Sequence, residues 1–328
     1  MSQIEVKNLV KKYKIIEKEE GLVGYFKNLL KPKYRELTAV SNINFNIEKG
    51  ELVGYIGENG AGKSTTIKML TGLLTPTSGA VRVNNLIPYK NRIENNKNIG
   101  AVFGQKTQLW WDLPVIESFR LIKKMYKIPE GEYRENLKKF TDILNLKDLL
   151  EKQVKNLSLG QKMRCEIAAT FLHDPQIVYL DEPTIGLDVL VKENIRKFIK
   201  DINREKNTTV ILTTHDLKDI EDVCDRIILL DKGKIIYDGE KQKFKDRYGK
   251  YVIVEFIIKN KIESIIEKLK DVEILEENEN KIKLKFSHDK TNIMKIMNEL
   301  SNYCTIEDIH MKEAELEDIL KEIYKGAH

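Results

Sequence analysis

Cysteine is scarce in this chain of 328 residues, and its three copies, Cys165, Cys224 and Cys304, are scattered without disulfide or metal-ligand spacing. That scarcity excludes a disulfide-stapled scaffold and a zinc site, and it fits a reducing compartment in which each thiol is a small core residue. No apolar run approaches the roughly 20 residues needed to cross a bilayer. The opening Met1-Ser2-Gln3-Ile4-Glu5-Val6-Lys7 reads as too charged for a secretory leader. A role at a membrane would therefore run through partners. Nor is there an excess of one charge: 56 Lys+Arg against 51 Asp+Glu leave +5, short of the asymmetry of a nucleic-acid binder. Long heptad arms, internal repeats and low-complexity tracts are lacking too. What is left is enough material for two domains with ample cores.

The rest of the chain is organised around Gly57-Glu58-Asn59-Gly60-Ala61-Gly62-Lys63-Ser64-Thr65. A glycine, four residues, then Gly-Lys-Ser is the pattern of a phosphate-binding loop. Its glycines let the backbone curl until successive N–H groups face phosphate oxygens. Lys63 supplies a mobile positive charge for the terminal phosphates, and the Ser64 hydroxyl can ligate Mg2+. Residues 52–56 read as a buried strand and residues 65–70 as a helix, whose N-terminal dipole adds to the anion site. The chain is expected to bind a nucleoside triphosphate through Gly57, Asn59, Gly60, Gly62, Lys63, Ser64 and Thr65.

Later strand ends supply chemistry. Residues 177–180 form an apolar strand that ends in Asp181 and Glu182. Asp181 suits the magnesium shell, and Glu182 suits the orienting or deprotonating of an attacking water. Gln105, just past a strand at 99–103, can reach the metal or the water. His215, after a strand at 208–213, can contact the γ-phosphate. A second anion site is written in Leu157-Ser158-Leu159-Gly160-Gln161, where a serine hydroxyl and bare N–H groups open a helix running to about residue 172.

Strands alternating with helices imply a largely parallel α/β core, with a helical subdomain over about 112–172. Residues 227–230 and 234–237 read as a hairpin about Asp231-Lys232-Gly233. Residues 16–37 place Leu22, Tyr25, Phe26, Leu29 and Leu30 at helical spacing among Lys27, Lys31, Lys33 and Arg35. That pattern reads as a surface helix packed on the domain, or as a basic amphipathic contact with lipid headgroups or a membrane partner. From residue 241 strands are expected at 251–258, 272–275, 282–286 and 304–309. Helices are expected at 262–269 and 292–300, with a last one at 313–324. The order βαββαβ is that of a small ferredoxin-like unit. The fold class is thus an α/β P-loop NTPase core with a mixed sheet over 1–240 and a small α+β domain over 241–328.

The ordered set of phosphate loop, Gln105, residues 157–161, Asp181-Glu182 and His215 resembles the nucleotide-binding subunit of an ABC transporter, over roughly residues 3–240. In that family two ATPase domains pack head to tail, and each ATP lies between one phosphate loop and the partner's signature motif. The resemblance implies that Ser158, Gly160 and Gln161 act on the other subunit's nucleotide. It implies that Asp188 sits in the loop crossing the dimer interface, and that Tyr13 stacks on adenine. It further implies ATP and Mg2+ as ligands, a second ATPase subunit (as a homo- or heterodimer) and integral membrane permease subunits as partners, and no nucleic acid. The expected place is cytoplasmic, peripheral on the inner face of the cell membrane, with ATP-driven dimer closure as the working stroke. Residues 105–112, with Trp110 and Trp111, resemble the surface for the permease coupling helices; core packing is the other reading of the two tryptophans. Leu159 stands where the family's usual signature has Gly. That variant, the Thr184-Ile185-Gly186-Leu187-Asp188 run and the short C-terminal unit are similar to exporter ATPases of the antibiotic-resistance and sodium-extrusion branch. The alternatives are an amino-acid importer ATPase with a C-terminal regulatory domain, and a non-transport ABC ATPase acting on nucleic acid or ribosome.

Overall fold

The structure, a computed structural model, describes residues 2–16, 34–104, 106–260, 269, 271–287 and 290–326. Two units divide the chain, Met1–Gly239 and Glu240–His328. In the first, β1 (Ile4–Ile16) and β2 (Tyr34–Ile47) pair antiparallel from Ile4 opposite Ile47 to Ile16 opposite Tyr34. β3 (Leu52–Gly57) is an apolar run buried at its first five positions, as a strand covered on both faces must be. It leads through the glycine loop into α1 (Lys63–Leu70). β4 (Ser78–Val83) then pairs with the other edge of β1, giving an antiparallel sheet of order β2-β1-β4.

The short α2 (Arg92–Lys97) precedes β5 (Ile99–Phe103). Then come α3 (Val115–Tyr126), α4 (Glu130–Ile143) and α5 (Leu159–Phe171). Pro114 and Pro129 cap the first two, where a missing N–H leaves no helical bond unmade. β6 (Ile177–Asp181), α6 (Val189–Lys206), β7 (Thr209–Thr213), α7 (Leu217–Val223), β8 (Arg226–Asp231) and β9 (Lys234–Glu240) follow.

The second sheet has the order β5-β6-β7-β3-β8-β9, and β5, β6, β7, β3 and β8 run parallel. Parallel pairing puts the carboxyl ends of β3, β7 and β6 side by side, with Gly54 opposite Leu212 and Asp181 opposite Thr213. The loops leaving those ends therefore open on one edge of the sheet. They carry the phosphate loop, His215 and Glu182. Behind the phosphate loop, Ile67, Met69 and Leu70 of α1 join Ile4, Phe45, Tyr55 and Leu230 in one buried cluster. Each such side chain stabilises by about 1.5–3 kcal/mol on leaving water. Phe198 of α6 meets Phe140 of α4 and Phe171 of α5 edge-on, both with centroids 5.1 Å apart, which ties the helical region to α6.

One expectation is corrected at its ends. Ile16 and residues 34–37 are strand and not helix, because the ladder pairs Tyr13 with Leu37, Lys14 with Glu36 and Ile15 with Arg35. An ion pair of 3.0 Å between Lys12 and Glu36 lies along the same arm. The helical reading of residues 17–33 lies outside the described residues. All three cysteines are buried, and none of them forms a disulfide.

The second unit opens with α8 (Lys241–Tyr248), a helix that the sequence reading did not include. It continues through β10 (Tyr251–Lys259), β11 (Val272–Glu277), β12 (Lys281–Ser287), α9 (Ile293–Leu300), β13 (Thr305–Glu313) and α10 (Leu316–Gly326). The sheet is antiparallel with the order β11-β12-β10-β13. Alternate residues Val252, Val254, Phe256 and Ile258 bury one face with Ile296 and Leu300 of α9. The last helix starts at Leu316 instead of 313 because Glu313 still pairs with Val252. Of the helix expected at 262–269 only Leu269 is described, and it is buried in the same cluster.

Candidate active site

Gly62 sets the turn of the phosphate loop. Its φ is 103°, and a Cβ there would lie 2.5 Å from the Ala39 carbonyl oxygen, so no larger residue fits. Lys63, 7% exposed, donates from Nζ to the Gly57 and Glu58 carbonyls at 2.7 and 3.1 Å. Burial lowers its pKa, and the charges of Glu182 and Asp181 oppose that shift. Ser64 Oγ donates to Asp181 Oδ1 at 3.3 Å, and the Thr213 hydroxyl donates to the same oxygen. Hydroxyl and carboxylate together make a hard-oxygen pair. Among the described residues no three His, Cys, Asp or Glu side chains cluster as metal ligands. A divalent ion beside Ser64 and Asp181 would draw most of its shell from phosphate and water, which fits Mg2+.

Glu182, one residue beyond β6, has a φ of 58°, a left-handed conformation uncommon for a residue with a Cβ. Its N–H donates to the Thr213 carbonyl at 2.9 Å, which fixes the turn. The carboxylate lies 3.3 Å from His215 Nε2 and accepts from the His215 N–H at 3.3 Å. Burial raises the Glu182 pKa above the ordinary carboxylate range, while His215 and Lys63 pull it down. A carboxyl group shifted upward and held by an imidazole is suited to take a proton.

A cavity of about 410 Å³ gathers Tyr13, Asn59, Gly60, Gly62, Lys63, Ser64, Thr65, Glu182 and His215. Two further residues, Leu37 and Ala39, line it. Leu37 lies directly across from Tyr13, so the two side chains share a face of the hairpin. Only the strand register reveals that pairing. Gln105 lies outside the described residues; its neighbour Gly104 donates its N–H to the Asp181 carbonyl at 2.7 Å.

The remaining expected residues form a second group. Ser158 caps α5: its Oγ accepts from the Gln161 N–H at 3.3 Å, and Gln161 Oε1 accepts from the Ser158 N–H at 3.0 Å. Asp188 caps α6, with Oδ1 accepting from the Val191 N–H at 3.0 Å. The two helix starts adjoin each other. A Cβ on Gly186 would lie 3.0 Å from Leu159 Cδ2, and a Cβ on Gly160 would lie 3.8 Å from Leu187 Cδ2. Leu159 thus fits beside Gly186, which has a φ of 71° and no side chain. None of Ser158, Gly160, Gln161 and Asp188 lines the Lys63 cavity.

Trp110 and Trp111 are 38% and 51% exposed, which removes core packing as their reading. Lys162 Nζ stands 4.3 Å from the centre of the Trp111 ring.

A buried ion pair behind the site had no sequence signal, since its partners are 23 residues apart. Arg196 of α6 donates to Asp219 of α7 at 2.6 Å, and Asp219 is 1% exposed. The hydroxyls of Thr184 and Thr214 also donate to Asp219. Thr184 follows Glu182 by two residues, and Thr214 immediately precedes His215, so one carboxylate braces both loops. Asp219→Ala leaves Arg196 Nε and two hydroxyls without this acceptor, while the guanidinium keeps Asp222 at 3.1 Å. At about 1 kcal/mol or more for each buried donor, the cost is about 3–5 kcal/mol. For a unit of this size the melting temperature should fall by about 6–20 °C. Calorimetric melting checks it, and an unchanged transition would show that the brace is dispensable.

A parallel sheet with a glycine loop, a hydroxyl–carboxylate pair and a raised carboxyl group along one edge defines a P-loop nucleoside triphosphatase. Residues 40–185 match the family model described as ABC transporter. The ABC transporter ATP-binding protein NatA of Bacillus subtilis (strain 168) is 32% identical over 207 residues, 63% of this chain and 84% of NatA. The bacitracin transport ATP-binding protein BcrA of Bacillus licheniformis is 30% identical over 296 residues, 89% of this chain and 94% of BcrA. A solved dimeric post-hydrolysis state of the ATP-binding cassette MJ0796, bound to ADP and Pi, aligns with a TM-score of 0.60 at 28% identity. That alignment covers 72% of this chain and 98% of the cassette. The chain belongs to the family of ABC transporter ATP-binding proteins.

Proposed function

We propose that this chain is the ATP-hydrolysing subunit of an ABC exporter, working as half of a dimer beneath separate membrane subunits on the inner face of the cell membrane. The observation that carries the proposal is the split of the site. Ser158, Gly160 and Gln161 open α5 with an anion-binding cap that does not line the Lys63 cavity. A head-to-tail dimer completes each cavity with the other chain's cap and brings Asp188 to the interface. The dimeric MJ0796 cassette supports that arrangement, and BcrA, named for bacitracin transport, supports export.

Within one cavity Tyr13 stacks on adenine beside Leu37, and the N–H groups of the loop take the phosphates with Lys63. Glu182 orients and deprotonates the attacking water, His215 holds Glu182 and meets the γ-phosphate, and the role of Gln105 is to serve the metal or the water. Ser64 and Asp181 hold Mg2+, which when bound neutralises charge on the phosphates. Closure on two nucleotides adds interface contacts, and loss of the γ-phosphate removes them. No helix among the described residues is long and apolar enough to cross a membrane, so movement of cargo falls to the partners. Trp110 and Trp111, exposed past β5, are their docking surface. The second unit is a ferredoxin-like accessory unit; its strand order supports that plan.

Affinity purification of the full chain from detergent-solubilised membranes of its host tests the partnership. An integral membrane protein should co-purify, and the Trp110→Ala, Trp111→Ala variant should lose it. Recovery of the wild-type chain without any membrane protein would contradict the proposal.

A further inference from the structure

Glu166 is 3% exposed, in the middle of α5, and both of its carboxylate oxygens serve one short segment. Thr107 Oγ1 donates to Glu166 Oε2 at 2.7 Å, and the Gln108 N–H donates to Glu166 Oε1 at 2.8 Å. Gln108 Nε2 adds a bond of 2.7 Å to Thr170 Oγ1, one turn further along the same helix. One turn before Glu166, Lys162 stands over the Trp111 ring at 4.3 Å. Trp110 is held to α3, its N–H donating to Ser118 Oγ at 3.1 Å. The start of the loop belongs elsewhere, since Gly104 donates to the Asp181 carbonyl of β6 at 2.7 Å.

Among the described residues no cation is in hydrogen-bond contact with Glu166. A buried carboxylate of that kind is a costly way to hold a loop, and an apolar side chain would pack there without the desolvation penalty. What a carboxylate adds is two acceptors with fixed spacing for donors on consecutive residues, stronger than neutral acceptors would be. We propose that Glu166 is the positioning residue that makes residues 107–111 move as one piece with α5, so that displacement of the Ser158 end reaches Trp110 and Trp111. The source of that displacement rests on the dimer reading; the tether does not.

Both tryptophans of the chain lie in the tethered segment, so fluorescence excited selectively at tryptophan reports on this segment alone. Without nucleotide, Glu166→Ala should raise acrylamide quenching of the full chain about twofold, and Thr107→Val, which removes one donor, by less. Glu166→Gln, which keeps one acceptor oxygen and turns the other into a donor, should fall between wild type and Glu166→Ala. Unchanged quenching in both Glu166→Ala and Thr107→Val would overturn the tether. With Mg2+ and ATP, Glu182→Gln protein should shift its tryptophan emission as it dimerises. Adding Glu166→Ala should remove about half or more of that shift while light scattering still detects the dimer. An equal shift in the double variant would overturn the tether and leave the dimer standing. Absence of dimers, with quenching changed as described, would sink the dimer reading and support the tether. If Glu166→Ala fails to fold by circular dichroism, Thr107→Val carries both arms.

Discussion

Glu182→Gln should bind ATP with near-wild-type affinity, lose about 10²–10⁴-fold in turnover, and accumulate as an ATP-bound dimer. Glutamine keeps the size of the side chain and can still accept from the His215 N–H, whose 3.3 Å bond to Glu182 is one of the contacts that place the group. It cannot take a proton from water. In the proposed dimer, binding and closure depend on the phosphate loop and the Ser158 cap, which the substitution does not touch. The pH profile gives the same answer by another route. Burial raises the Glu182 pKa, and a general base must be ionised to act. Wild-type kcat should therefore fall on the acid side as pH drops through that raised value, above the ordinary carboxylate range. The limb should vanish from the residual rate of the glutamine variant. Single-turnover hydrolysis with light scattering checks both parts, and near-normal hydrolysis would remove Glu182 from the role of base.

Lys63→Ala should lower ATP affinity by about 10²–10³-fold, the loss expected when two charge-assisted bonds to phosphate are removed. The fold should survive. Lys63 is 7% exposed and its ammonium donates to the Gly57 and Glu58 carbonyls. Those bonds offset the desolvation that lowers its pKa, so truncation removes a cost along with the bonds. Calorimetric titration with ATP and a melting curve on the same sample separate lost binding from lost structure. Unchanged ATP affinity would contradict the phosphate-loop assignment.

What could be seen in the sequence is what depends on neighbours in the chain. Glycine spacing and the apolar runs of β3, β6 and β7 are short-range patterns, and the structure has those strands where they were expected. A helix does open at Ser158, but the capping pair that joins Ser158 to Gln161 was not foreseen. What depends on register or on distant packing could not be seen. Leu37 enters the cavity only because β2 pairs it with Tyr13. The Arg196–Asp219 brace and the Glu166 tether join residues 23 and 58–59 positions apart, with no motif to link them. The same limit explains the tryptophans. Their size says they can bury a large area, but only the packed fold decides whether anything covers them. Residues 34–37 were drawn toward a helix by the apolar spacing that precedes them, whereas cross-strand pairing with residues 13–16 decides their conformation.

The claim that each site is shared between two chains can be tested by mixing variants. Take one chain with Lys63→Ala and another with Ser158→Arg, which blocks the α5 cap. Each alone should be nearly inactive. In an equal mixture half the dimers are mixed, and each mixed dimer has one cavity with an intact Lys63 facing an intact Ser158. ATPase activity should then recover to about a quarter of wild type. A site completed within a single chain would show no recovery on mixing.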